Sequence, residues 1–218
     1  MKHKTLFVAA LAILLLAFGG AAFFYAAQRD QQATQGADSN RAALVRLHAP
    51  TLGKADAPVV IVEFLDPACE TCAVFYPRVK QMLAANPERI ALVLRWAPFH
   101  NGSDKVVAVL EAARKQGKLW PALEALLASQ ADWAPHHSPQ VARVWKHLDG
   151  LGLNMEQMAF DMTSPEIARL IAQDLADAKT LNVTKTPEFF VNGKPLPSFG
   201  YEQLTRLVDD ALAKAPRR

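Results

Sequence analysis

PVVIVEFLDPACETC, residues 58–72, is the stretch on which the fold turns. Its first half is almost unbroken apolar sequence, with β-branched side chains at Val59, Val60, Ile61 and Val62. That is the composition of a strand covered on both faces. Beyond it, AVFYPRVKQMLAANP places Val74, Phe75, Val79, Met82 and Leu83 at helical spacing. A helix is therefore expected to begin at or beside Cys69, to kink at Pro77 and to finish before Pro87. IALVLRW, Ile90 to Trp96, reads as a second buried strand. Strand, helix and strand in this order make a βαβ unit on a parallel sheet.

Two cysteines sit at the junction of strand and helix. The first N–H groups of a helix lack intrahelical partners and form the positive end of its dipole. A thiolate at Cys69 is stabilised there, and its pKa should fall below the free value of about 8.5. Cys72 lies about one turn further on, within reach of the Cys69 sulfur and less exposed. The spacing suits exchange in two steps, with Cys69 forming a mixed disulfide and Cys72 resolving it. Two other readings stand beside this one. A static bridge is one, although such bridges constrain the unfolded chain more when they close longer loops. A copper-handling pair of soft sulfurs is the other. His100, His136, His137 and His147 are available for it, but none is closely spaced to the cysteines. His136-His137, between Pro135 and Pro139, reads as a solvated loop.

Further along, Ser103 to Lys115 has Val106, Val109, Leu110 and Ala113 on one helical face, with Ser103 as the expected N-cap. Leu119 to Leu127, Pro139 to Leu148 and Met155 to Met162 are shorter helical segments. Ser164-Pro165-Glu166 opens a longer helix, with Pro at its first position and Ile167, Leu170, Ile171, Leu175 and Ala178 inward. Pro187 to Val191, the turn Asn192-Gly193 and Lys194 to Leu196 read as a hairpin. The last helix, Tyr201 to Leu212, should bury Leu204, Leu207, Val208 and Leu212. The order β-α-β, helical block, β-β-α is that of a thioredoxin-like α/β core with a helical insertion near residues 102–165.

Composition narrows the function class. The 218 residues are 51% hydrophobic and 21% charged, enough for a real core. A net charge of +3 without a long basic run argues against nucleic acid as partner. Two cysteines are too few for a disulfide scaffold or a closed zinc site. No charge occurs between Lys4 and Arg29, a span long enough to cross a bilayer as a helix. Residues 1–28 therefore read as a signal-anchor helix, with Gly20-Ala21-Ala22 as the place where a signal peptidase would cut instead. Lys2 and Lys4 put its N-terminus inside, and everything downstream outside. Residues 29–43 are a polar tether, and 44–218 form the domain. In a Gram-negative cell that compartment is the periplasm, where thiols oxidise.

GKADAPVVIVEF (Gly53 to Phe64), followed by Asp66-Pro67-Ala68-Cys69-Glu70-Thr71-Cys72, resembles the DsbA-like thiol:disulfide oxidoreductases, exported thioredoxin-fold proteins with a helical insertion. VTKTPEFFVNG, Val183 to Gly193, is similar to that family's cis-proline segment. The resemblance covers about residues 50–100 and 165–215; the insert matches only in character. It implies a cis peptide bond before Pro187, with Thr186 and Pro187 lying against the sulfurs and offering backbone to a substrate chain. It also implies that Glu63, six residues before Cys69, is a buried acid able to relay the proton of Cys72. Glu70-Thr71 departs from relatives that carry His between the cysteines. Glu70, and Asp66 nearby, are expected to oppose a Cys69 thiolate and so to limit oxidising power. The implied activity is dithiol–disulfide exchange in exported proteins. It uses no cofactor or metal beyond the Cys69–Cys72 disulfide, and a membrane redox partner resets it. A non-catalytic assembly module is the remaining alternative.

Overall fold

A computed structural model describes residues 43–216 and the helical positions Phe18, Gly20 and Phe24. The expected span over 1–28, those three positions apart, and the tether up to residue 42 lie outside the described residues. Among the described residues no helix is long and apolar enough to cross a membrane. The chain divides into two compact units between Ala42 and Ala43. The second unit carries the sheet and both cysteines.

Five strands form one sheet: β1 (Thr51–Leu52), β2 (Val59–Leu65), β3 (Ile90–Trp96), β4 (Glu188–Val191) and β5 (Lys194–Pro195). They lie in the order β1-β3-β2-β4-β5, with the apolar β2 at the centre. β2 runs parallel to β3 and antiparallel to β4, so the sheet is mixed. The hairpin from β4 to β5 turns at Asn192-Gly193, both with positive φ, as its dipeptide requires. Among the described residues of the second unit, eight α-helices accompany the sheet: α1 (Glu70–Ala85), α2 (Ser103–Lys115), α3 (Leu119–Ala128), α4 (Gln130–Trp133), α5 (Val141–Val144), α6 (Met155–Asp161), α7 (Pro165–Thr180) and α8 (Tyr201–Lys214). The expected segments are there with small changes of boundary. The run over Pro139–Leu148 divides into α5 and a tighter 3-10 turn at Trp145–His147. β1 and α4 are too short to show a period and were not expected.

Alternation along the strands sorts side chains to two faces. Ile61, Leu65, Leu92, Leu94 and Trp96 pack with Phe75, Tyr76 and Val79 of α1. Val62, Phe64, Val93 and Phe190 pack on the other face with Leu44, Ala178 and Val183. Two parts of the expected burial are corrected. Val74 is 56% exposed, because the buried face of α1 runs through Cys72, Phe75, Tyr76, Val79 and Leu83. In α8 only Leu204 and Val208 are fully buried.

Arg95, on β3, has a fully buried guanidinium. It meets Asp174 at 2.7 Å and Asp177 at 2.6 Å, both from α7. It also donates to the carbonyls of Ala43 and Leu44. Arg46 joins Asp177, and His48 joins Asp174 at 2.7 Å. Ala43, the last residue of the expected tether, is thereby hydrogen-bonded to the buried Arg95. Replacing Arg95 by Leu strands two carboxylates that burial has separated from water. We expect a loss of about 3–5 kcal/mol in guanidinium unfolding; a loss under about 1 kcal/mol would show that the carboxylates are compensated elsewhere.

Candidate active site

β2 ends at Leu65, and the chain turns through Asp66-Pro67-Ala68 to set Cys69 at the N-cap of α1. Asp66 builds the turn. Its buried carboxylate accepts the Ala68 N–H at 2.9 Å, the His100 N–H at 2.9 Å and His100 Nδ1 at 2.7 Å. The Ser103 hydroxyl lies 3.2 Å from the same carboxylate and 2.8 Å from the His100 carbonyl. Ser103 is thus the first residue of α2 and not its cap. Gly102, at φ 89°, holds the capping position with no side-chain bond.

Both cysteines are free thiols. Cys69 is 4% exposed and Cys72 not at all. The Cys69 Sγ lies 3.2 Å from the Thr186 carbonyl, and the Thr186–Pro187 peptide is cis. The loop expected to lie against the sulfurs does so across 117 residues of chain. The Cys69 thiol is drawn down to about 5. A hydrogen bond from Cys72 contributes most, and burial opposes it; Thr186 and the backbone N–H groups of Cys72 and Thr71 add to the fall. Cys72 moves the other way, pushed up by burial, by its bond to Cys69 and by the nearby charges of Cys69 and Glu63.

Glu63 faces the same side of β2 as Ile61 and Leu65. Its carboxyl is wholly buried, and among the described residues neither oxygen has a hydrogen-bond partner. Burial, and then the charge on Cys69, raise it to about 8. At neutral pH, Cys72 and Glu63 therefore hold protons while Cys69 does not. Glu70 and Asp66, expected to oppose the thiolate, differ in their surroundings. Glu70 is exposed, so water screens it, and the Asp66 carboxylate is bound by the turn.

Apolar surface borders the cysteines. Phe75 packs on Phe189 at 5.7 Å and on Phe199 at 5.0 Å, with the Lys185 ammonium over the Phe199 ring. Val74 and Phe199 are exposed. Three of the four histidines considered for copper have other partners: His100 binds Asp66, His137 binds the Ala68 carbonyl and His147 binds Asp132. Among the described residues no group of three or more His, Cys, Asp and Glu is placed to hold a metal ion. His137 also corrects the solvated-loop reading, since it is half-buried against the turn before Cys69. Asp66, Gln130 and His137 are the site residues that sequence reasoning missed as such. They act on the turn across up to 69 residues of chain, a distance no local motif spans.

The thioredoxin family model matches residues 47–210. The chain belongs to the thioredoxin family. A solved thioredoxin-like oxidoreductase from Silicibacter pomeroyi DSS-3 is 32% identical, with a TM-score of 0.69 over 80% of this chain and 99% of that one. BdbD from Bacillus subtilis is 23% identical, with a TM-score of 0.66 over 76% and 93%. Alpha-DsbA1 from Wolbachia pipientis matches at 20% identity and a TM-score of 0.67 over 81% and 96%. The resemblance to DsbA-like proteins therefore holds for the fold. Among curated relatives, the Na(+)/H(+) antiporter NhaA 3 of Salinispora tropica is 30% identical over 76% of this chain. The chain spans about a quarter of the length of the antiporters it matches.

Because burial raises Glu63 from 4.5 to about 8, folded protein disfavours its ionised form. Its stability is therefore complete below pH 4.5 and declines as the pH rises towards 8. Glu63→Gln should be more stable than wild type by about 1.4 kcal/mol for each pH unit across that window, measured as thermal unfolding against pH. A constant difference across the window would show that Glu63 ionises normally.

Proposed function

We propose that the chain is an exported protein thiol:disulfide oxidoreductase that works as a disulfide donor and is held at the membrane by residues 1–28. The observation that carries this reading is the asymmetry of the dithiol, with Cys69 drawn down to about 5 and Cys72 pushed up. A stabilised Cys69 thiolate favours the reduced form, so the disulfide form is the better oxidant.

A substrate thiolate attacks Cys69 of the disulfide, and Cys72 leaves with the bonding electron pair. Glu63, protonated beneath the site, donates the proton that makes Cys72 a thiol and is later reprotonated from solvent. The second substrate thiolate attacks its partner sulfur in the mixed disulfide. Cys69 departs as a thiolate, its low pKa making it a good leaving group. The substrate has lost two electrons to the dithiol, and a membrane redox partner must remove them. Thr186 and Pro187 lie where an extended substrate backbone can pair beside Cys69, and Val74 and Phe199 offer apolar contact. The oxidoreductase class is supported by the 32% identical solved relative of that description. Export and tethering are supported by the uncharged run between Lys4 and Arg29.

The dithiol equilibrium in glutathione buffers tests the direction. The pair is expected to stay reduced in buffers as oxidising as the periplasm; a bridge that forms readily in reducing buffer would make the protein a reductase or isomerase. Cys69→Ser should abolish exchange and Cys72→Ser should accumulate mixed disulfides, seen as mass adducts. Failure of both would remove the catalytic reading. The full chain should stay with membranes through carbonate washing, whereas release of a shortened chain would show that the leader is cleaved.

A further inference from the structure

Three consecutive carbonyls lead into Cys69, and side chains of the helical insert bond all three. Gln130 Nε2, from α4, donates to the Pro67 carbonyl at 2.7 Å and to the Cys69 carbonyl at 3.0 Å. His137 Nδ1 meets the Ala68 carbonyl between them at 3.2 Å. A carbonyl only accepts, so His137 must carry its proton on Nδ1. Its ring stacks on His100 at 4.7 Å and 13°, and His100 is bonded through Nδ1 to Asp66. The turn is thus gripped on its carbonyl side by the insert and at the Ala68 N–H by Asp66.

The backbone of the insert is shaped for this contact. His136 and His137 both adopt left-handed φ, 52° and 60°. Residues with a Cβ avoid that region unless tertiary contacts hold them there. The contacts that hold His137 are the Ala68 carbonyl and the His100 ring. Behind them, α4 is fixed by the buried Trp133, whose indole N–H donates to the Leu126 carbonyl at 2.8 Å.

We infer that the insert sets the reactivity of Cys69, with His137 and Gln130 as positioning residues that hold the turn so that the sulfur meets the N–H groups of α1. The inference rests on the reading of Cys69 as the exchanging thiolate. Neither residue touches the sulfur; they act through the peptide units on either side of it.

The test uses the full reduced chain in detergent. Iodoacetamide alkylation of Cys69 is followed against pH by mass spectrometry, and the glutathione equilibrium is measured beside it. His137→Ala should raise the midpoint of Cys69 alkylation and shift the glutathione equilibrium towards the disulfide by roughly fivefold, the effect of one hydrogen bond. His137→Asn, whose amide nitrogen replaces Nδ1 as donor, should restore both. His137→Asp, of nearly the same size but offering only an acceptor, should behave like His137→Ala. A general loss of folding would move Asn and Asp alike, and that result overturns the inference, as does a wild-type midpoint in His137→Ala. The wild-type profile reports separately on the underlying reading: without an acidic midpoint, both fall together.

Discussion

A thiolate has to be held where a buried strand becomes a helix, and the domain is organised around that requirement. Cys69 lies at the point where β2 has ended and α1 has not yet paired its first N–H groups. Those groups, the Cys72 thiol and Thr186 draw its pKa down to about 5. The turn that delivers it is only three residues long. Its polar groups are satisfied by its own Asp66, which takes the Ala68 N–H, and from the insert by Gln130 and His137, which reach the carbonyls. The exposed Glu70 contributes nothing comparable, because a charge in water a residue away is screened more than a hydrogen bond at the sulfur.

Below the thiolate the polarity reverses. Cys72 and Glu63 are excluded from water and keep their protons, so the site holds one negative charge above two neutral acids. Glu63 sits in an apolar strand with neither oxygen bonded, a costly place for a carboxylate. That cost has a chemical use in the proposed reaction, because Cys72 must gain a proton each time the disulfide opens. Fold and chemistry meet at one residue: the strand that buries the acid is the central strand of the sheet.

The far side of the sheet solves a different problem with the same materials. Arg95 is buried among Asp174, Asp177 and the carbonyls of Ala43 and Leu44. Two buried carboxylates are tolerable only with cations against them, and Arg95 and Arg46 supply these. The arrangement ties α7 to β3 and locks the first residues of the domain to its interior. Ala43 and Leu44 are held by one side chain of β3.

Much of this was written in local patterns. The β-branched run of β2, the helical spacing after Cys72, the Asn192-Gly193 turn and Ser164-Pro165 at the start of α7 are short-range signals, and each element formed where its signal lay. The two cysteines stand out by their spacing at a strand–helix junction, and Pro187 by the resemblance of its segment to the cis-proline segment of DsbA-like proteins. Tertiary structure alone decided the rest. It placed Val74 outside, because only one face of α1 meets the sheet, and it turned Ser103 from a cap into a partner of Asp66. It brought His137 and Gln130 to a turn more than 60 residues away. It also decided the charge on Cys69, where the sequence shows an adjacent glutamate and the structure shows a hydrogen bond from Cys72 and the backbone N–H groups of Thr71 and Cys72. Spacing along a chain specifies what is near in the next turn or strand, whereas protonation and positioning depend on what is near in space.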